Sequence, residues 1–132
     1  MATDIGCVRE SWLKEIAGSD AVLLESNYEP GMLMTGSYPY ALKQRIASRR
    51  GHLSNPDAGE AAVELVRRGA RRIILGHLSK ENNVPELAMG CCEAALRDAG
   101  IRPGQDVALT VARRDGVTGL YALKREEMEA LL

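Results

Sequence analysis

The chain has 132 residues, 45% of them hydrophobic and 27% charged, with a formal net charge of -1. That is enough for one core and gives no long-range positive field, so nucleic-acid binding would rest on a local basic patch. No apolar stretch approaches the roughly 18–20 residues that span a bilayer, and the start lacks a basic-then-apolar leader pattern, which points to a single cytoplasmic domain over residues 1–132 with no membrane partner.

In chain order, the first marker is Thr3-Asp4-Ile5-Gly6, a carboxylate on a tight turn. Val8, Trp12 and Ile16 at four-residue spacing, with Gly18 beyond, predict a helix over about residues 7–17. Residues 21–24 are a short buried strand that runs into Glu25-Ser26-Asn27-Tyr28. Polar groups at a strand's C-terminal end are where open α/β sheets place their sites. Pro and Gly break regular structure between residues 29 and 37, and a second helix is expected over about residues 39–48, carrying Lys43 and Arg45 and closing on Arg49-Arg50-Gly51-His52.

Asn55-Pro56-Asp57 reads as a helix start, with Asn55 as N-cap, a proline at the first position and a carboxylate favoured by the dipole. Ala58, Ala61, Ala62, Leu65 and Val66 then form one apolar stripe that ends at Gly69. Residues 71–76 form a strand that feeds His77, and residues 84–99 repeat a helical pattern closed by Gly100. Val107, Leu109 and Val111 alternate as a strand, Asp115-Gly116 is a hairpin turn towards Leu120-Tyr121-Ala122, and residues 124–132 are a charged helix or frayed end. The strands make one α/β sheet layer with helices covering it. Three cysteines, two of them adjacent at Cys91 and Cys92, match neither an even disulfide framework nor a zinc spacing and read as buried thiols.

Both histidines of the chain sit in the same tetrapeptide, Gly51-His52-Leu53-Ser54 and Gly76-His77-Leu78-Ser79. Their surroundings differ too much for a structural repeat. Taken with Thr3-Asp4-Ile5-Gly6, Leu24-Glu25-Ser26-Asn27-Tyr28, Tyr38-Pro39-Tyr40-Ala41-Leu42-Lys43-Gln44-Arg45-Ile46 and Asn82-Asn83, they run in order through about residues 1–100. In that order the sequence resembles the metallo-β-lactamase-fold hydrolases, most closely their YycJ/VicX-type branch.

The resemblance implies the C-terminal half of an αββα sandwich and a metal-dependent phosphodiesterase or nuclease activity. Asp4 stands where that family has a metal-bridging aspartate, with Ile5 in place of a second threonine, and His77 falls on its last metal ligand. Glu25 and His52 hold places similar to a glutamate and a histidine beside the scissile phosphate in the related RNase Z nucleases, which implies proton transfer to the leaving group. Two divalent ions, zinc or manganese, would clamp the attacking and leaving oxygens. Lys43, Arg45, Arg49 and Arg50, just before His52, would hold the phosphate backbone of a nucleic acid or other phosphodiester, Asn27 and Tyr28 would join them in binding it, and Tyr38 or Tyr40 could stack on a base.

The family's His-x-His-x-Asp-His motif lies upstream of the aspartate, and a chain with two histidines cannot supply it. The expectation is a portion incomplete for catalysis alone, with a homo-oligomer or a complementing N-terminal half as partner. A sheet missing its other half would either expose an apolar face, which invites oligomerisation or partner binding, or be poorly stable.

The same residues have structural readings. His77 and His52 fit hydrogen-bonded loop residues, Asp4 fits a helix N-cap, and Glu25 can pair with nearby arginines. The basic run from Lys43 to Arg50 fits a solvated helix face, and Arg67, Arg68, Arg71 and Arg72 suit a helix C-terminus. In that case the chain would be a noncatalytic α/β module that binds a phosphorylated ligand or a partner protein.

Overall fold

The computed structural model describes residues 21–48, 52–112 and 121–122. The expected helix at 7–17, Asp4 and its turn, Arg49-Arg50-Gly51, the Asp115-Gly116 turn and the tail at 124–132 lie outside the described residues.

Two short apolar strands organise the rest. β1 (Ala21–Glu25) is buried along its whole length, and β2 (Arg72–Gly76) is buried after its first residue. Strands buried on both faces suit a parallel pair, and β1 and β2 pair in parallel with Val22 against Ile73, Leu24 against Leu75 and Glu25 against Gly76. β3 (Ala108–Val111) joins β2 in parallel, and β4 (Tyr121–Ala122) joins β1 antiparallel, so the strand order is β3-β2-β1-β4. The expected hairpin between the last two strands is therefore not formed, since β3 and β4 lie on opposite edges. A buried strand needs ladder partners for its backbone on both sides, and Tyr121 and Ala122 supply part of that second side to β1.

Four helices are described: α1 (Pro30–Thr35), α2 (Tyr40–Ala47), α3 (Asn55–Arg67) and α4 (Pro85–Asp98). α1 corrects the expectation of irregular chain between residues 29 and 37. Pro30 sits in its first turn, where the missing N–H costs nothing, and the Glu29 carboxylate accepts from Met32 N at 2.9 Å. In α3 the cap is Ser54 and not Asn55: Ser54 Oγ accepts from Asp57 N at 3.2 Å. The Asn55 side chain is thereby free for another role. Gly69 and Gly100 end α3 and α4 at φ values of 112° and 80°, the left-handed conformation that lacks a steric cost only for glycine.

Alternation along the strands divides the core. Val22, Leu24, Ile73 and Leu75 pack under α3 and α4 against Ala61, Ala62, Leu65, Cys92 and Leu96. The helices approach closely at Gly59, where an added Cβ would stand 2.9 Å from Ala95 Cβ. On the other face Leu23 and Ile74 are 0% and 1% exposed, with Ala21 and Ala112 beside them. The apolar sheet face expected to lie open is thus buried. Leaving those two side chains in water would forfeit roughly 1.5–3 kcal/mol each.

Candidate active site

The site grows out of the register. Parallel pairing brings the C-terminal ends of β1 and β2 level, so Glu25 lies beside Gly76 and the chain leaves β2 directly into His77. Beyond Glu25 the backbone stays extended and is bonded on both sides. Ser26 N donates to Gly76 O at 3.0 Å and Asn27 O accepts from Ser79 N at 2.7 Å on one flank; Asn27 N donates to Leu53 O at 2.9 Å and Tyr28 O accepts from Asn55 N at 2.9 Å on the other. The two Gly-His-Leu-Ser copies are therefore the two flanks of a single strip of chain.

Both flanks deliver an imidazole to one carboxylate. Glu25 is 3% exposed. Its Oε2 meets Nδ1 of His52 at 2.9 Å and Nδ1 of His77, while Oε1 accepts from Leu53 N at 2.9 Å. An ionised carboxylate can only accept, so both rings carry the proton on Nδ1 and turn Nε2 away from Glu25. Burial pushes the Glu25 carboxyl up, but hydrogen bonds from His52, His77 and the Leu53 N–H, with the His52 charge, outweigh it and hold the group below its ordinary value. The two rings meet edge to face, with centroids 5.1 Å apart.

His77 is held in an uncommon backbone conformation, φ 56°, which histidine tolerates better than most residues. The buried Asn27 amide donates to the His77 carbonyl at 2.8 Å and braces this turn. A second layer lies beneath. Ser26 Oγ donates to Asn55 Oδ1 at 2.6 Å, and Asn55 Nδ2 donates to Asn83 Oδ1 at 2.9 Å. Asn83 Nδ2 donates to Ser26 O at 3.0 Å, and Asn83 Oδ1 accepts from Val84 N at 3.0 Å. This buried ring ties the end of β1, the start of α3 and the residue preceding α4 to one another.

Glu25, His52, His77 and Asn27 are thus brought together. The last three help to line an open cleft of about 400 Å³, together with Tyr38, Ile46, Leu78, Ser79, Lys80 and Glu81. Lys43 and Arg45 are not among its lining residues: Lys43 Nζ donates to Met34 O at 2.8 Å, and Arg45 is exposed on α2. Tyr28 is buried, and burial, followed by the charges of Asp57 and Glu25, raises its phenol despite a hydrogen bond with Ser54. Lys80 and Glu81 were not signalled in the sequence, although both directly follow the second histidine motif.

Glu25, His52 and His77 each offer a ligand atom within 4.8 Å of the others, and no other such trio occurs among the described residues. Two imidazoles and a carboxylate suit a borderline divalent cation. With its Nδ1 engaged by Glu25, His77 has Nε2 left to bind one, the usual arrangement of a carboxylate behind a ligating histidine. No described helix is long and apolar enough to cross a membrane.

No family model matches the chain. It is 38% identical over 120 residues to the protein named Exodeoxyribonuclease WalJ from two strains of Streptococcus pneumoniae, covering 91% of this chain and 45% of that protein. It is 36% identical over 105 residues to the protein named Exodeoxyribonuclease YycJ of Bacillus anthracis, covering 80% of this chain and 40% of that one. The chain therefore spans less than half the length of the curated relatives it matches. The α/β sheet with its small parallel core and this sequence relationship together make the chain a member of the YycJ/VicX branch of the metallo-β-lactamase fold, of which it carries a part.

Proposed function

We propose that this chain carries part of the active centre of a metal-dependent deoxyribonuclease that removes nucleotides from DNA ends. The observation that carries the reading is the single buried carboxylate, Glu25, that orients both histidines at the sheet's C-terminal edge. The relatives' name, exodeoxyribonuclease, supports DNA as the substrate. Under this reading His77, with Asp4, holds divalent metal, zinc or manganese. A bound divalent ion supplies Lewis-acid polarisation of the phosphate.

The chain's own residues do the rest. Glu25 engages Nδ1 of both rings, so that neutral His77 would present Nε2 as a ligand, while His52, kept charged as the imidazolium by the carboxylate, would give its Nε2 proton to the leaving alkoxide and remain as the neutral Nδ1–H ring. Two metal ions need more imidazole ligands than a chain with two histidines offers. The remainder would come from a second copy or a complementing half. Cys91 and Cys92 are unbridged, which suits a reducing cytoplasm.

Calorimetric titration of the metal-stripped chain with zinc and manganese tests the metal role. Binding should be lost in His77→Ala and weakened in Asp4→Ala; unchanged binding in both variants would remove these residues from the metal site. Co-expression with the unmatched part of the pneumococcal relative tests the activity. Metal-dependent release of nucleotides from end-labelled DNA, abolished by His52→Ala, is expected, and DNA left intact at every metal tried would overturn the nuclease reading.

A further inference from the structure

Among the described residues, α2 lends no cation to the lining of the cleft. Lys43 is tied to the Met34 carbonyl, and neither it nor Arg45 lines the cleft that holds His52 and His77. Among the described residues that line it, the cationic side chain is Lys80, exposed and in no ion pair with another described residue. It lies three residues after His77, on the loop that Ser79 N anchors to Asn27 O at 2.7 Å. The loop is thus fixed at its start, and Lys80 on it lines the same cleft as His52 and His77. Another segment, residues 38–46, supplies Tyr38 and Ile46 to the same cleft. One segment thus contributes charge and imidazole, and the other an aromatic ring and an aliphatic side chain.

That division matches one nucleotide, with an anionic phosphate at one end and a flat π-face at the other. The open cleft of about 400 Å³ lies at the low end for small-ligand sites, roughly 300–1,000 Å³, a size in keeping with one nucleotide unit. We propose that Lys80 and Tyr38 seat the terminal nucleotide of a single DNA strand, Lys80 on the phosphate that enters beside His52 and His77 and Tyr38 stacked on the base. Glu81, at the same cleft, disfavours a second phosphate there, which keeps the seat to one charged group. Stacking on Tyr38 is sequence-tolerant because every base has a π-face. This inference deepens the nuclease reading, on which it rests for the choice of DNA.

Fluorescence anisotropy of a short fluorescein-labelled oligothymidylate against the full chain, in chelator and across a salt series, tests it without metal or cleavage. Lys80→Ala should weaken binding about five- to tenfold and reduce the salt slope by about one. Tyr38→Ala should weaken it about tenfold at every salt concentration, and Tyr38→Phe should restore it. Circular dichroism of each variant checks that the fold is kept. Binding unmoved by Lys80→Ala but lost on charge reversal at Lys43 and Arg45 would overturn the assignment in favour of α2. No binding by the unaltered chain would also overturn it, and calorimetric metal binding at His77 in that same preparation would leave the metal-site reading standing.

Discussion

His52 and His77 share one oxygen of Glu25: each ring brings Nδ1 to Oε2, and the rings touch edge to face with centroids 5.1 Å apart. They reach it from opposite flanks of the strip that follows β1, one from the approach to α3 and the other from the end of β2. A buried carboxylate with three donors is ionised because those donors outweigh its desolvation, so its charge and the orientation of both imidazoles depend on each other.

That dependence gives a pH signature. The Glu25 carboxyl is lower in the folded chain than in the unfolded one, so its contribution to stability is fully present above the unfolded carboxylate's value, about 4.3. It is lost as pH falls through the folded value. Urea midpoints followed from neutral pH into the acid range should fall more steeply for the unaltered chain than for Glu25→Gln. At neutral pH Glu25→Gln should cost about 1–3 kcal/mol, because an amide nitrogen replaces one acceptor among three donors. Parallel acid limbs would show that Glu25 is not the group responsible.

Two glycines should respond in opposite senses to the same substitution. Gly59 of α3 faces α4, and an added methyl would stand 2.9 Å from Ala95 Cβ, a contact neither rigid side chain can relieve. Gly59→Ala should destabilise by about 1–3 kcal/mol despite alanine's better helix propensity. Gly90 lies inside α4, exposed, with nothing within 4 Å of an added Cβ. Gly90→Ala should stabilise by about 0.5–1 kcal/mol. Thermal melts of the pair decide it, and a stabilised Gly59→Ala would mean the helices are further apart than described.

The buried ring of Ser26, Asn55 and Asn83 should behave as a unit. Each of Asn55→Ala and Asn83→Ala strands a partner in a dry setting and should cost about 1–3 kcal/mol. Once either is gone the other has less to lose, so the double variant should cost less than the sum by roughly 0.5–3 kcal/mol. Strict additivity in denaturant unfolding would show that the two amides act separately.

The adjacent cysteines should differ in reactivity. Cys92 is fully buried in the main core, and burial, with the neighbouring Cys91 and Glu93 charges, pushes its thiol up to about 12. The half-buried Cys91 is raised as well, by burial and then by Glu29. Alkylation near pH 8 followed by peptide mapping should leave Cys92 unmodified until denaturant is added, with Cys91 reacting first. Modification of Cys92 in the native chain would place it outside the core.

Much of this was legible from local pattern. Apolar runs marked β1 and β2, the stripe from Ala58 to Val66 marked α3, and Gly69 and Gly100 marked helix ends, because periodicity and left-handed glycines act over a few residues. Glu25 and His77 stood out by residue type and by position at strand ends, and His52 by the tetrapeptide it shares with His77 and by the family resemblance. Local reading failed where short-range signals compete. Pro30 and Gly31 looked like breakers, yet Pro30 begins a helix capped by Glu29. Asn55 looked like a cap, yet Ser54 caps and Asn55 is buried in the amide ring.

By itself, then, the sequence determined the α/β alternation, the core face of each long element and the residues able to do chemistry, since all of these follow from side-chain type and spacing along the chain. Only the tertiary structure decided that two identical tetrapeptides meet on one carboxylate, that Lys80 and not Lys43 faces the cleft, and that β4 pairs with β1 and not with β3. Those outcomes depend on strand register and on which edges meet, contacts between residues far apart in the chain that no local pattern encodes.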